Sequence, residues 1–272
     1  DSLTALLCAL FTAHGQKDVV EEYAIDVDCD KPTHAIQHFR KVTTILTEQG
    51  APLASFVCSC SKNDKLTRFK GLVTDATGRV IRKLKESELQ KTEYSQYLAI
   101  DDYKMFLDYT PPVYPITISY EWTIESHDNL LEFPRFCPQS DYDITVKKAS
   151  YRLKVPKDMN VRYALQQLDT QVAVSDMSAY TQLFAVDVSD MPMLRYEPYG
   201  RPFRERMPMI CFAPTDFVYY GTKGSLATWN DYGQWEYSLI NGLDALPENV
   251  CQELHQLTDP LPTARQKVEA LY

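Results

Sequence analysis

The chain has 272 residues, of which 44% are hydrophobic and 24% are charged, a composition typical of a folded protein with a large core. Its net charge of −9 arises from 28 basic and 37 acidic residues, and this acidic balance disfavours a surface that binds nucleic-acid phosphates. No apolar run reaches the ~18–20 residues of a membrane-spanning helix, so the sequence predicts no membrane span.

The first predicted element is a short helix in the apolar stretch LTALLCALFTA (3–13). Its buried stripe would consist of Leu3, Leu6, Leu7 and Leu10. The following TAHGQ also fits the cleavage region of an export leader, although no basic segment precedes the apolar stretch. Residues 1–18 are therefore predicted to be either a docked N-terminal helix or a leader remnant.

Residues 19–212 are predicted to form one antiparallel β-sandwich domain of about a dozen strands. The clearest strand is YPITISYEWTI (114–124), in which Ile and aromatic residues alternate with Thr, Ser and Glu. The segment HAIQHFRKVTTIL (34–46) alternates in a similar way. Further strands are expected at 103–109, 144–155, 161–165, 170–174, 180–188 and 207–212.

A β-hairpin is predicted where LTRFKGLVT (66–74) and RVIRKL (79–84) flank the turn from Asp75 to Gly78. Gly78 can adopt the positive φ that such a turn requires. The expected fold class is therefore mainly β, a large antiparallel β-sandwich followed by a short helical C-terminal segment.

Helical periodicity replaces strand alternation within residues 213–272. The segment SLATWNDYGQWEYSLI (225–240) predicts a helix with Ser225 as its candidate N-cap. A second short helix is predicted at PENVCQELHQL (247–257), which has a proline near its start.

A third short helix is predicted to begin at Thr263, whose side chain can cap it while Gln266 reaches back. The apolar face of this helix would consist of Ala264, Val268, Leu271 and Tyr272. A helix of under three turns is not stable alone. Its apolar face therefore docks on the preceding residues, or the helix opens a further domain.

Metal binding is not expected from the cysteines or histidines. Cys58 and Cys60 fall on the same side of a strand, but no second pair of ligands has the spacing of a zinc site. His34 and His38 share one strand face about 13 Å apart, too far to bind one ion. His127 falls in SHDN, which is interpreted as a turn between strands. The sequence thus predicts no metal and no cofactor.

A catalytic nucleophile is not evident either. Cys137, Cys211 and Cys251 have no recognisable partner base in the sequence, and packing explains each of them. A cysteine hydrolase that uses Cys137 or Cys211 remains an alternative hypothesis.

Aromatic residues are concentrated near the start of the helical segment. They are Tyr219, Tyr220, Trp229, Tyr232, Trp235 and Tyr237. This cluster fits a small secondary core, a docking face for a following domain, or a platform for a carbohydrate. The candidate interdomain contact residues are Trp229, Tyr232, Trp235, Val268, Leu271 and Tyr272.

Five segments in order carry a family resemblance: FRKVTTILTEQG, LTRFKGLVTDATGRVIRKLKESEL, YPITISYEW, FAPTDFVYYGTKGSLATWNDYGQWEYSLI and LTDPLPTARQKVEALY. Together they resemble the N-terminal β-sandwich domain of unknown function that precedes a transglutaminase-like, papain-type domain in exported bacterial proteins. The resemblance extends over about 18–272.

The resemblance implies that residues 213–272 are a helical linker and the start of a truncated transglutaminase-like domain. The catalytic Cys, His and Asp of that family would follow later, so no catalytic residue is assigned to this chain.

The function that the resemblance implies is that of a non-catalytic module of a bacterial transglutaminase-like cysteine protease or amidase. It would position the enzymatic domain or recognise a protein or glycan substrate. The resemblance also implies an exported protein, periplasmic or at the cell surface. The rival hypotheses are a stand-alone adhesion or carbohydrate-binding sandwich, and a cysteine hydrolase.

Overall fold

A computed structural model of the chain describes residues 15–93, 102–128 and 130–272. The predicted N-terminal helix with its leucine stripe lies outside the described residues. Of the segment 1–18, only residues 15–18 are described, and Asp18 is the first residue of the first strand. The protein is mainly β, with 48% strand and 18% helix, as the sequence predicted. The chain divides into two compact units between Gly224 and Ser225, and each is described by itself.

The first unit contains the strands of the fold, except for Ser225, the last residue of the final strand. They are β1 (Asp18–Lys31), β2 (His34–Ile45), β3 (Phe56–Cys60), β4 (Asp64–Asp75), β5 (Val80–Lys85), β6 (Gln90–Glu93), β7 (Tyr103–Leu107), β8 (Ile116–His127), β9 (Ile144–Pro156), β10 (Val161–Gln166), β11 (Ala173–Asp176), β12 (Thr181–Met191), β13 (Met209–Pro214), β14 (Asp216–Tyr219) and β15 (Thr222–Ser225). A single-turn helix, α1 (Phe203–Arg206), interrupts the irregular segment before β13.

An eight-stranded sheet forms the main layer, in the order β11-β12-β9-β1-β2-β8-β4-β5. Its neighbouring strands are antiparallel except β1 and β9, which pair in parallel. The parallel pair departs from the expected all-antiparallel arrangement. It arises because β9 approaches β1 after a long connection rather than through a hairpin, and such long connections are what parallel pairing requires.

The predicted hairpin is present as β4 and β5. Gly78 has a φ of +83°, and its amide donates to the Asp75 carbonyl. The Asp75 side chain accepts from the Thr77 and Arg79 amides, so the turn is held by both backbone and side-chain hydrogen bonds.

One face of the main sheet carries the core, because strand side chains alternate between faces. The register places Ile25, Phe39 and Trp122 on this inner face and Arg40 and Glu121 on the outer face. The outer face is polar. An ion-pair row crosses it from Glu22 through Arg40 and Glu121 to Lys70.

Small sheets form the second layer over the inner face. The sheet β3-β7-β6 covers one half, where Phe56 packs 4.7 Å from Phe69 and 5.3 Å from Tyr120 between ring centroids. The sheet β10-β13 covers the other half, where the Phe212 ring stacks 4.9 Å from Tyr151. The core therefore consists of two neighbouring hydrophobic clusters under a split second layer.

The second unit, Ser225–Tyr272, is helical. It contains α2 (Trp229–Ile240), α3 (Glu248–Thr258) and α4 (Ala264–Leu271). The helix α2 begins later than predicted: its N-cap is Thr228, not Ser225, because Ser225 is still part of β15. No helix among the described residues is long and apolar enough to cross a membrane.

Candidate functional site

The predicted interdomain residues of α2 differ sharply in exposure. Trp229, the first residue of the helix, is 89% exposed, whereas Trp235 is 8% exposed. Tyr232 lies beside Trp235, with 5.6 Å between the ring centroids. The structure therefore separates the predicted set into an outward tryptophan and a buried tryptophan that packs beside the half-buried Tyr232.

The predicted residues of α4 are exposed. Val268 is 62% and Leu271 is 53% exposed, and Tyr272 is fully accessible. Other large apolar side chains of the same unit are exposed as well: Tyr237, Leu239, Ile240, Leu243, Leu246 and Leu257. Together with Trp229, Val268, Leu271 and Tyr272, we call them the C-terminal apolar residues. Where exposed apolar side chains are contiguous, they are typical of a surface that binds a partner.

The helices that present these residues have defined starts. The Thr228 hydroxyl accepts from the Asp231 amide at 3.1 Å and donates to its carboxylate at 2.6 Å, which caps α2. The Thr263 hydroxyl accepts from the Gln266 amide at 3.3 Å, as predicted. Gln266 reaches back to the Thr263 hydroxyl, at 2.8 Å. Caps of this kind satisfy backbone donors that would otherwise lack partners.

A cleft of about 410 Å³ opens on the inner face of the main sheet. Phe39 and Trp122, stacked with 4.8 Å between ring centroids, contribute to its lining. The other lining residues come from β2, β3, β4, β8 and the segment before β9: Gln37, Val57, Cys58, Ser59, Asp64, Ile124, Ser126, Leu130, Glu132, Phe133, Pro134 and Arg135. An aromatic surface beside an Arg135–Glu132 ion pair of 3.1 Å can bind a ligand that is partly apolar and partly polar.

A second depression, of about 460 Å³, includes much of the outer face around the ion-pair row. Its lining combines acidic Asp26, Glu86 and Glu121 with basic Arg40, Arg68 and Lys70. Arg40 and Lys70 both pair with Glu121, and acidic and basic side chains are equal in number among these six residues, so this surface has no strong preference for one sign of ligand.

A histidine cluster occupies one end of the outer face. His34 Nε2 lies 3.2 Å from Glu125 Oε1, and His127 Nε2 lies 3.3 Å from the same oxygen. His34 Nδ1 is 2.6 Å from Asp30 Oδ1, and this hydrogen bond raises the pKa of His34. Among the residues that the structure describes, His34, Glu125 and His127 are the one group of three potential metal ligands with atoms within 4.8 Å of one another.

Sequence reasoning missed this cluster. The sequence places His34 near His38 on one strand, whereas the structure pairs His34 directly with His127 on β8. His127 is the last residue of a strand and not part of a turn. The residues are about ninety positions apart in the chain, and only the register of β2 against β8 brings them together. The signal available in the sequence was that Glu125 and His127 continue the alternation just beyond the predicted strand 114–124.

The cysteines have the character of packed thiols. Cys58 and Cys60 are buried on the same face of β3, as predicted. Burial raises the pKa of Cys137 to about 11 and also raises the pKa of Cys211. A raised thiol pKa lowers the fraction of reactive thiolate, which argues against the cysteine hydrolase hypothesis. The six cysteines in the described part of the chain are free thiols, and Cys8 lies outside it.

Several solved structures with a fold similar to that of this chain carry peptidase names. A protein of Parabacteroides distasonis, provisionally named a protease, matches with a TM-score of 0.64 and 10% identity, over 93% of this chain and 49% of that one. An M1 zinc metallopeptidase from Deinococcus radiodurans matches with a TM-score of 0.34 and 8% identity, over 72% of this chain and 42% of that one. Aminopeptidase A of Legionella pneumophila, in complex with aspartic acid, matches with a TM-score of 0.33 and 13% identity, over 74% of this chain and 22% of that one.

At these identities the matches show the fold alone, and the two with the lower scores carry no argument. The chain spans about half the length of the Parabacteroides protein. No curated protein sequence matches it. A family model does match, over residues 33–192, which include strands β2 to β12. The chain therefore belongs to DUF3857, a family defined as a domain of unknown function with a solved structure.

Proposed function

We propose that the chain is a non-catalytic module that positions a transglutaminase-like domain of the same exported bacterial protein. The observation that carries this proposal is the set of C-terminal apolar residues, which are exposed on a unit of short helices. Such residues gain free energy when a partner covers them, at about 25 cal/mol for each Å² of apolar surface removed from water. A domain that follows in the same chain is present at high effective concentration and is the simplest partner.

Two further observations support the proposal. The Parabacteroides protein shares the fold of nearly all of this chain, is about twice as long, and carries a protease name. Within this chain, Cys137 and Cys211 have raised thiol pKa values. Both facts fit a module whose catalytic partner is encoded elsewhere in the same protein.

The test begins with the gene. The reading frame beyond the codon for Tyr272 should encode a Cys at the start of a helix, followed by a His and an Asp. The 272-residue chain by itself should show no amidase, protease or amine-transfer activity with peptide and glutamine-amide substrates. A Cys137→Ser or Cys211→Ser substitution that abolished such an activity would instead establish the cysteine hydrolase. A reading frame that stops at Tyr272 would favour the stand-alone binding sandwich.

A second role, recognition of a protein or glycan substrate, is favoured by the cleft that contains Phe39 and Trp122. Aromatic faces beside polar groups suit both peptides and sugars. A Trp122→Ala substitution should weaken the binding of substrate fragments, measured by calorimetry, while the apolar Val80→Ala substitution at an exposed position of β5 should not.

A further inference from the structure

We propose that His34, Glu125 and His127 form a binding site for one Zn²⁺ ion, with Asp30 positioning His34. Two imidazoles and one carboxylate are among the ligand sets that zinc uses in proteins when a fourth position is left to water or to another molecule. The inference is independent of the proposed function, because the cluster lies on the sandwich and involves none of the C-terminal apolar residues.

The topology explains how the ligands meet. His34 opens β2 and lies directly opposite His127, the last residue of β8. Glu125 precedes His127 by two positions, so strand alternation puts both side chains on the same face. Because neighbouring strands are hydrogen-bonded here, the three side chains project from a fixed backbone rather than from a loop.

The spacing of the ligand atoms fits a zinc ion. A tetrahedral ion with bonds of about 2.0–2.1 Å places its ligand atoms about 3.3 Å apart. The distances from Glu125 Oε1 to the two Nε2 atoms are 3.2 Å and 3.3 Å. All three ligand atoms lie within 4.8 Å of one another. A small movement of one side chain would therefore complete the coordination geometry.

Asp30 holds the His34 ring in an orientation that suits metal binding. It lies at an irregularity of β1, between Cys29 and Lys31, and such bulges redirect side chains. Its carboxylate is 2.6 Å from His34 Nδ1. When Nδ1–H donates to this carboxylate, the lone pair of Nε2 is directed away from Asp30, toward Glu125 and His127. A carboxylate that orients a histidine in this way is the usual outer partner of a metal-binding imidazole.

Charge and accessibility are also consistent with a bound cation. Glu125 and Asp30 offset the two positive charges of the ion, while the two neutral imidazoles add none. The side chain of His34 is half-buried, Glu125 is partly exposed and His127 is exposed, so an ion can enter from solvent. The bound ion would join the β1-β2 hairpin to the end of β8.

The experiment uses the purified 272-residue chain, freed of metal with a chelator and titrated with zinc chloride at mildly alkaline pH. We expect one Zn²⁺ per chain by calorimetry and a higher melting temperature in its presence. Both effects should be lost in His34→Ala and His127→Ala. Asp30→Asn should retain the stoichiometry but bind about 10–100-fold more weakly. The matched control is His38→Ala, because His38 lies on the same face of β2 but bonds to Thr123.

The free cysteines could bind zinc instead, and cobalt(II) distinguishes the two cases. Binding by nitrogen and oxygen ligands gives no thiolate-to-metal charge-transfer band, whereas binding by cysteines does. The proposal is overturned if the chain binds no stoichiometric Zn²⁺, if binding survives in the His34→Ala, His127→Ala double variant, or if Cys58→Ser abolishes it. Circular dichroism of each metal-free variant establishes that a loss of binding is not a loss of folding.

Discussion

At Asp18 a carboxyl group lies fully buried where the first strand begins. Neither oxygen has a well-formed hydrogen bond among the described residues. The buried Thr47 hydroxyl also lacks one. The carboxylate packs against Gly50, where an added Cβ would approach Oδ1 to 2.1 Å. Burial raises the pKa of Asp18 to about 7, although the nearby Leu46 amide and the charges of Lys17 and Lys41 act in the opposite direction. The folded protein thus favours the neutral acid.

We predict that this group makes stability fall as pH rises. Between pH of about 4 and 7 the unfolded chain releases the Asp18 proton and the folded chain keeps it, so ionisation favours unfolding. At 1.36 kcal/mol per pKa unit, the free energy of unfolding should decrease by up to about 4 kcal/mol over this window. Below this pH window the contribution of Asp18 to the free energy of unfolding is constant. Above the window the stability stays lower by the full amount.

Urea unfolding at a series of pH values measures the effect. The Asp18→Asn variant, which cannot ionise at this position, should lack this component and exceed the wild type in stability at neutral and higher pH. The control is Asp26→Asn, an exposed position of the same strand, which should retain the pH dependence of the wild type. Equal pH profiles for wild type and Asp18→Asn would contradict the prediction.

At the scale of single elements, helix α2 depends on its cap. The helix also contains Gly233, which disfavours helix relative to Ala by about 1 kcal/mol. The Thr228 hydroxyl accepts from the Asp231 amide and offsets part of this cost. We therefore expect Thr228→Ala to lower the stability of the helical unit by about 1 kcal/mol.

Thermal unfolding followed by circular dichroism at helical wavelengths can check this expectation. Ser238→Ala is the matched control, because Ser238 also carries a hydroxyl in α2 but donates it to the Trp235 carbonyl within the helix. The substitution removes a hydroxyl that competes with backbone amides for the Trp235 carbonyl, so the stability of the helical unit should be unchanged or slightly higher. If both substitutions had the same effect, the cap would have no special role.

Elements were predictable where the sequence pattern is local. The alternation in 114–124 identified β8, and Asp75 to Gly78 identified a turn, because both depend on neighbouring residues. Pairing across the sheet was not predictable. The parallel register of β1 with β9 and the approach of His127 to His34 depend on strand order, which one sequence does not encode in any local pattern. The cap of α2 was misplaced for the same reason, since the pairing of β14 with β15 takes up Ser225.

The sequence was sufficient to predict which residues belong to the candidate interdomain contact, but not which of them are exposed. Trp229 and Trp235 are both large and aromatic, and the sequence places them six positions apart on one helix. Exposure depends on which face of that helix is covered, and the residues that cover it come from tertiary packing. Only the structure shows that the first is outward and the second buried.

At the scale of the whole molecule, these two tryptophans should therefore behave differently. Trp235→Ala removes a buried aromatic side chain, which usually costs 3–5 kcal/mol, roughly enough to unfold a small helical unit. Trp229→Ala removes a side chain that is 89% exposed, so the 272-residue chain should unfold as the wild type does.

In the longer protein that we propose, Trp229→Ala should show an effect that the shorter chain lacks. A tryptophan buried at an interdomain contact is often among the few residues that contribute most of its free energy, commonly 2 kcal/mol or more. We therefore expect the substitution to separate the thermal transitions of the two domains and to speed proteolysis between them. Tyr199→Ala, at a fully exposed position of the first unit, is the control and should change neither property. If Trp229→Ala left both unchanged in the longer protein, the C-terminal apolar residues would not form the contact, because an interface centred on them should respond to the loss of its largest exposed side chain.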